Sequence, residues 1–303
     1  MSPGLAHVST TAAATVLRQC PRLLPDRFVA DPYVKGDAFL DAVAEMHPGL
    51  KTLAISRCAF SVSCVAPPCN GTGLRRVAAV CTDLEQLYIE RCPSLVPNPE
   101  AACATLATSF PKLKILRADY NVCMTDAWLA AFAGAHPDLE QLKLSLSGAS
   151  AAFRTVTEAS TVAVMKACSR LRPDELVGLP KGDRFVTTVA ELHPNLAAID
   201  LAVPEGVRWT DQHGTPFEPL SVAGLVALGA AFPNLMTLNV DRCRCIVGDA
   251  NLDKLAAATP WLEVLSMVPS VGASGTVSAK HVEDRWPLLR RVKWDARETR
   301  VLW

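Results

Sequence analysis

The sequence lacks any long run of apolar residues, although 50% of its residues are hydrophobic. Its longest apolar stretches, such as 224–232, fall far short of the roughly 18 consecutive apolar residues that a membrane-spanning helix needs. We therefore expect a soluble chain that is not inserted into a membrane.

The sequence also lacks net charge, because 30 basic residues balance 30 acidic residues. A neutral chain has no global field that would attract nucleic acid or an anionic membrane surface. We expect neither as a partner.

A charged-then-apolar leader is missing from the N-terminal residues, and the cysteines number 11, which is odd. Both features favour a reducing compartment, in which cysteine acts as a small hydrophobic residue. We therefore expect a cytoplasmic protein. The alternative is a mitochondrial one, because the first residues contain Arg18 and Arg22 but no acid before Asp26, as in a transit peptide.

Motifs of known catalytic or cofactor chemistry are missing too. The sequence has no phosphate-cradling glycine loop, nucleophile elbow or paired metal-binding histidines. The remaining candidates are Cys64 with Cys69, Cys243 with Cys245, and Asp211 with His213. The cysteine pairs lack a second pair at zinc-ligand spacing, and no nucleophile is implied beside the aspartate and histidine. We expect no enzyme activity, no cofactor and no metal site.

What the sequence does contain is a repeat. Residues 35–50 read KGDAFLDAVAEMHPGL and residues 181–196 read KGDRFVTTVAELHPNL, with 10 of 16 positions identical. Each copy has an anchor leucine, which in most copies stands two residues after a proline. The anchor leucines are Leu23, Leu50, Leu84, Leu113, Leu139, Leu171, Leu196, Leu235, Leu262 and Leu289, at spacings of 25 to 39 residues. Repeats of this length predict a solenoid of stacked units.

Each copy combines two periods. Most anchors open the pattern L-x-x-L-x-L, whose last two apolar positions alternate with polar ones, as in a short strand with one buried face. Before the anchor the period is helical, with an apolar residue seven positions upstream and usually alanine six upstream. The proline ends the helix. Four aspartates thirteen positions upstream are predicted helix caps, namely Asp37, Asp126, Asp183 and Asp249.

These copies resemble the leucine-rich repeat family over nearly the whole chain. The copy DRCRCIVGDANLDKLAAATPWLEVL resembles the cysteine-containing subtype, and the variable spacing resembles ribonuclease-inhibitor-like repeats. The resemblance implies an α/β fold, a right-handed leucine-rich repeat solenoid (horseshoe) with parallel short strands on the concave face and helices on the convex face. It implies one domain over 1–303 with nine or ten repeats, an N-terminal capping repeat at 1–34 and a C-terminal capping repeat at 276–303. The copy at Leu171 departs from the frame, which leaves a bend or a seam open there.

Histidine and cysteine, which often catalyse reactions or bind metals, fall on fixed repeat positions. Three histidines directly precede the repeat proline, where other copies have Phe, Trp or Cys: His47, His136 and His193. A position that accepts such different residues is a packing position. Three cysteines stand eight residues after their anchors: Cys58, Cys92 and Cys243. By the resemblance, these cysteines form a structural ladder at the turn after each strand.

A partner would bind the concave face, where the resemblance places the side chains between and after the apolar strand positions. Two of the three tyrosines fall on adjacent strands beside arginine, and both residue types are enriched where binding energy concentrates. The long insertion 204–219 is either a second contact or a tolerated surface loop. The predicted partner-binding residues are Gln86, Tyr88, Glu90, Arg91, Arg117, Asp119, Tyr120, Gln141, Lys143, Trp209, Asp241 and Arg242.

The resulting functional hypothesis is a non-enzymatic scaffold, or a structural subunit of a larger assembly, that binds a protein partner. The alternative is the substrate-recognition subunit of a ubiquitin ligase, which the cysteine-containing subtype suggests. Such subunits usually carry an F-box before the repeats, and here the repeats begin within the first 23–50 residues, leaving no room for one.

Overall fold

A computed structural model of the chain describes residues 10–23, 25, 36–56, 72–90, 108–119, 125–145, 156–203, 220–243, 245, 249–268, 282, 284–295 and 298–301. In these residues short helices alternate with short strands, as the two periods of the repeat predict. The helices are α1 (Thr10–Gln19), α2 (Asp37–Met46), α3 (Thr72–Val80), α4 (Asp126–Ala135), α5 (Glu158–Ala167), α6 (Asp183–Leu192), α7 (Val222–Ala231) and α8 (Asp249–Ala258). The strands are β1 (Thr52–Ser56), β2 (Gln86–Glu90), β3 (Ile115–Asp119), β4 (Gln141–Ser145), β5 (Leu176–Val177), β6 (Ala198–Asp200), β7 (Thr237–Asn239), β8 (Val264–Ser266), β9 (Arg291–Asp295) and β10 (Glu298–Val301).

The chain divides into two compact units. The first comprises Met1–Phe153 with Ala167–Leu171, and the second comprises Arg154–Lys166 with Arg172–Trp303. The division falls directly after Leu171, the anchor of the copy whose sequence frame is broken, and the strand of that copy, β5, has only two residues. A single domain over 1–303 stays a prediction.

In the first unit, strands β1 to β4 lie side by side in chain order and run parallel. Their register joins equivalent positions of successive repeats, so that Leu53 pairs with Leu87, Leu87 with Leu116, and Leu116 with Leu142. The alignment made from the anchor leucines is therefore the register of the sheet. Helix α1 packs on α2, and α2 packs on α3, so the helices stack in the same order.

In the second unit, strands β6 to β9 are also parallel and in chain order. Ile199 pairs with Leu238, Leu238 with Leu265, and Leu265 with Val292. Strand β10 lies within the predicted C-terminal capping segment and pairs with β9 in the antiparallel direction. It occupies the edge of β9 that a further parallel strand would use. The α/β solenoid architecture with parallel strands is thus confirmed in the described parts of both units.

The apolar repeat positions form the core. From the Leu50 copy onward, the described residues seven positions before the anchors and the second apolar residues of the L-x-x-L-x-L patterns are 2% exposed or less. Val16, seven positions before Leu23, is 39% exposed. Burying an apolar side chain of this size fully contributes about 1.5–3 kcal/mol. These buried residues include Val43, Leu53, Val77, Leu87, Leu116, Phe132, Leu142, Val164, Val189, Ile199, Leu228, Leu238, Leu255, Leu265, Val282 and Val292.

In the copies that contain the repeat proline, the described helices end where it predicts. Helices α2, α4 and α6 end one residue before His47, His136 and His193. The amide of the following anchor then donates to the carbonyl oxygen of that histidine, at 3.1 Å for Leu50 and His47. The same turn recurs at the other described anchors, and it connects the helix of a repeat to the strand that follows.

Two of the predicted helix caps, Asp37 and Asp183, act differently from the sequence-based prediction, whereas the prediction for Asp249 is not tested. Asp37 was expected to cap its own helix, but its Oδ1 accepts the amide hydrogen of Gly73, in the first turn of the next helix α3, at 3.1 Å. Glu158 occupies the equivalent position in α5, and its Oε1 accepts from the amide of Phe185 in α6 at 2.7 Å. Stacking brings each carboxylate to the free N–H groups of the following repeat. In α4 the capping group is Thr125 instead of Asp126, because Thr125 accepts from the amide of Trp128.

In the described part of the chain, none of the helices combines the length and the apolar character that crossing a bilayer would require.

Candidate functional site

The outward face of strands β1 to β4 carries the predicted site. Side chains alternate along a strand, so the residues between the buried leucines face away from the helices. One row of this face consists of Ala54, Tyr88, Arg117 and Lys143, which pair in register across the four strands. We call this row the central row. Its side chains are partly exposed.

Arg117 is held in place from two sides. Its Nε donates a hydrogen bond to Oε1 of Gln141 on β4 at 2.8 Å. Its guanidinium carbon lies 5.4 Å from the centroid of the Tyr88 ring on β2, within the range of a cation–π interaction. Arg117 therefore links three strands through its own side chain.

Tyr88 is positioned in turn by its own strand. The hydroxyl of Tyr88 donates to Oε1 of Gln86 at 3.1 Å, and Oγ1 of Thr52 on β1 donates to the same oxygen at 3.5 Å. The polar contacts from Thr52 to Gln141 thus cross all four strands. A face ordered in this way loses little conformational freedom when it binds a partner.

Charged residues beside the face pair with one another. Lys51 and Lys114, directly after their anchors, lie 3.6 Å and 2.8 Å from the carboxylate of Glu85. The hydrogen bond and charge of Lys114 lower the pKa of Glu85. Lys112 forms an equivalent pair with Asp83, at 2.5 Å. Exposed pairs of this kind contribute little stability.

The structure brings together five of the predicted residues, which are Gln86, Tyr88, Arg117, Gln141 and Lys143. Glu90 and Asp119 end β2 and β3, and their side chains lie outside the described residues, as do Arg91, Tyr120 and Trp209 with the whole 204–219 segment. The expectation that Tyr88 and Tyr120 lie close together on adjacent strands therefore stays a prediction.

Asp241 and Arg242 occupy the turn after β7 in the second unit. Asp241 was expected to face a partner, but it is only 7% exposed, and its Oδ1 accepts from the Ser266 hydroxyl at 2.6 Å and the Val268 amide at 2.9 Å. Lys293 lies 3.9 Å from its other carboxylate oxygen. Asp241 therefore joins adjacent repeats. Arg242 has a φ of 63°, a left-handed conformation that side chains rarely adopt.

A buried lysine was missed by the sequence analysis. Lys181 is 6% exposed, and its Nζ donates to the carbonyl oxygens of Asp200 at 2.6 Å and Pro173 at 3.3 Å. The Phe185 ring centroid lies 5.6 Å from the same nitrogen. Burial lowers the pKa of Lys181 to about 8, although the charge of Asp200 opposes this shift. The shared segment KGD marks Lys181 in the sequence, but a repeat pattern of apolar positions does not predict a buried amine.

The buried cysteines Cys81, Cys168 and Cys243 bond to backbone groups of the preceding repeat. Sγ of Cys81 donates to the carbonyl oxygen of His47 at 3.4 Å, and Sγ of Cys243 donates to that of Leu201 at 3.3 Å. The structural ladder is confirmed for Cys243, whereas Cys58 and Cys92 lie outside the described residues. Burial raises the pKa of the Cys168 thiol to about 11, which keeps it protonated and a poor nucleophile.

The structure describes only part of the candidate metal and catalytic residues. Within the described ranges, no group of three or more His, Cys, Asp or Glu side chains is arranged to hold a metal ion. Cys64 and Cys69 lie outside these ranges, and so do Asp211 and His213. His136 is 2% exposed and packs as predicted, with Nδ1 at 2.8 Å from the Phe132 carbonyl oxygen.

Comparison with known proteins gives similarity to solved structures alone, since no family model and no curated protein matches the sequence. The structure is similar to that in the yeast Rad7 and Elc1 complex, with 16% identity, coverage of 80% of this chain and 70% of that chain, and a TM-score of 0.44. It is similar to the leucine-rich repeat-containing protein LegL7 from Legionella pneumophila, with 14% identity, coverage of 86% and 79%, and a TM-score of 0.45. It is also similar to internalin C2 from Listeria monocytogenes, with 13% identity, coverage of 97% and 100%, and a TM-score of 0.39.

The fold follows from the geometry of the chain itself. Helix–turn–strand repeats stack with their strands parallel, and their leucines stand in register at equivalent repeat positions. The chain has the leucine-rich repeat fold.

Proposed function

We propose that this chain is a non-enzymatic protein-interaction module, either a scaffold or a structural subunit of a larger assembly. Its partner lies on the outward face of β2, β3 and β4. The observation that carries this proposal is the placement of Arg117 between the Tyr88 ring and the Gln141 amide. Tyrosine and arginine supply a large share of binding energy at interfaces, and here both are ordered before a partner arrives.

The chemistry-bearing residues support an interaction role as well. The three buried cysteines and His136 contact backbone carbonyl groups inside the stack, which accounts for their presence without a reaction. Five described cysteines are free thiols, which supports a reducing compartment and the proposed cytoplasmic location.

The proposal is tested by affinity purification of the full chain, followed by crosslinking and mass spectrometry. We expect crosslinks to a protein partner through Lys143 on the strand face in preference to Lys166 and Lys254 on helices α5 and α8. Crosslinks confined to the helix lysines would contradict the proposed surface. Recovery of a cullin adaptor would support the ubiquitin-ligase alternative.

A variant series separates the face from the fold. The double variant Tyr88→Ala/Arg117→Ala should lose the partner while keeping its thermal unfolding transition. The matched control is Arg75→Ala, which removes an exposed arginine from helix α3 and should bind as the unmodified chain does. Equal recovery of the partner by the double variant and the control would overturn the assignment.

A further inference from the structure

We propose that Arg117 binds a carboxylate of the partner, and that the partner segment on the central row is an acidic, extended stretch of protein. This inference rests on the proposed function and adds the chemistry of the partner to it.

Two neighbouring side chains orient the guanidinium group of Arg117. Nε of Arg117 is engaged by Gln141, and the guanidinium carbon lies over the Tyr88 ring at 5.4 Å from its centroid. Among the described residues, no hydrogen bond is made by its two terminal amino groups. These two groups form the planar fork that matches a carboxylate in a bidentate arrangement.

The neighbours in the row favour the same ligand. Lys143 pairs with Arg117 in register on β4, and strands lie about 4.8 Å apart, so a second positive charge stands one strand away. On the other side of Tyr88 the row holds Ala54, whose side chain is small and uncharged. Two cationic residues, Arg117 and Lys143, therefore stand next to each other in the central row.

The surrounding charges favour a protein segment over a nucleic acid. Glu85 lies between Lys51 and Lys114 in the row directly after the anchors. Both lysines are paired with this carboxylate, so they do not form a continuous row of unpaired positive charge for evenly spaced phosphates. The chain as a whole has no excess positive charge, which nucleic-acid binding usually requires.

The test uses a phage-displayed library of random-sequence peptides, panned against the immobilised full chain. We expect the selected peptides to be enriched in Asp and Glu over the input library. In Arg117→Gln this enrichment should disappear, and individual selected peptides should bind roughly 10- to 100-fold more weakly, as expected when a charge-assisted hydrogen bond is lost.

Two further variants define the contribution of Arg117. Arg117→Lys keeps the charge but loses the fork, so it should retain a reduced preference for acidic peptides. Lys112→Gln is the matched control, because it removes one exposed positive charge from the same unit outside the central row. It should select the same peptides as the unmodified chain. Circular dichroism melting establishes that each variant is folded.

Several outcomes would overturn the inference. These are a selection that yields no enriched peptides, peptides without acidic enrichment, or the same acidic enrichment with Arg117→Gln. Arg117-dependent binding of a poly(U) RNA oligonucleotide without acidic peptides would favour nucleic acid instead. Crosslinks from a natural partner to Lys143 would sustain the proposed function in each of these cases, so the two failures are distinguishable.

Discussion

Asp183, in the first turn of α6, accepts two hydrogen bonds from Ser221, the N-cap residue directly before α7. Oδ1 accepts from the Ser221 amide at 2.8 Å, and Oδ2 accepts from the Ser221 hydroxyl at 2.5 Å. The hydroxyl oxygen of Ser221 in turn accepts the amide hydrogen of Gly224. The carboxylate of one repeat therefore orients the capping residue of the next, across 38 residues of sequence.

This relationship predicts that Asp183→Asn destabilises the chain by about 1–2 kcal/mol, because the amide group replaces one charged acceptor with a donor beside an N–H group. The measurement is the free energy of unfolding from urea denaturation. Asp284→Asn, at an exposed aspartate of the same unit, should change it by less than about 0.5 kcal/mol. Equal effects of the two variants would contradict a capping role for Asp183.

Two helical glycines, one in close contact with a neighbouring helix and one not, allow a test of how closely the helices pack. A Cβ atom on Gly229 in α7 would lie 1.7 Å from the carbonyl oxygen of Ala258 in α8, whereas a Cβ on Gly134 in α4 would meet nothing within 4 Å. Gly229→Ala should therefore destabilise the chain by about 1–3 kcal/mol or more through overpacking. Gly134→Ala should stabilise it by about 0.5–1 kcal/mol through helix propensity.

Thermal or urea unfolding of the two glycine variants checks their opposite signs. If both substitutions stabilised the chain, α7 and α8 would not pack as closely as the structure shows.

Because Lys181 is buried, we expect the free energy of unfolding to increase as the pH is raised through the alkaline range. Its pKa is about 8 in the folded chain against the ordinary 10.5, so between these values the unfolded chain binds a proton that the folded chain does not. Raising the pH through this window therefore favours folding, by on the order of 3 kcal/mol in total. Below pH 8 both states hold the proton, and the cost of burying the charge is fully present.

The measurement is the unfolding free energy from pH 7 to pH 10.5 for the unmodified chain and for Lys181→Met. The difference between the two curves isolates Lys181 from other groups that titrate in this range. Lys254→Met, at an exposed lysine of α8, is the control and should leave the curve unchanged in shape. A pH-independent difference for Lys181→Met would disprove the prediction.

We expect an exposed cysteine thiol to react with an alkylating reagent faster than a buried one. Cys20 is exposed, whereas Cys81, Cys168 and Cys243 are buried. Raising the pKa of Cys168 from 9.0 to about 11 lowers its thiolate fraction about a hundredfold, in addition to the steric protection. N-ethylmaleimide should therefore modify Cys20 first and the three buried cysteines only after urea is added. Peptide mass spectrometry over time follows each site, and early modification of Cys168 in the folded chain would contradict the prediction.

Much of the fold could be predicted from the sequence because the repeat positions are local. The anchor leucines predict the strand register, since equivalent positions such as Leu87 and Leu116 must stack to share one core. The prolines predict the helix ends, because the residue before a proline leaves the helical region. The outward placement of Tyr88 and Arg117 follows from strand alternation.

The site's internal contacts could not be predicted in the same way. Whether Arg117 bonds to Gln141, to Tyr88 or to solvent depends on rotamers that only the neighbouring strands select. Asp241 stands at an outward offset in the sequence, but the next strand supplies donors that draw it inside. A pattern of apolar positions contains no information about such partners.

The sequence by itself determined the unit of structure in this protein, because the alternation of helical and strand periods is a local property of each repeat. The tertiary structure decided which polar groups meet between repeats. Asp37 meets the amide of Gly73, and Lys181 meets the carbonyl groups of Asp200 and Pro173. The physical reason is that hydrogen bonds need a donor and an acceptor about 3 Å apart, and only the stacking of repeats brings distant residues that close. The leucine repeat thus determines the helix–strand unit, and the stacking of these units fixes the positions of Tyr88 and Arg117 on the outward face.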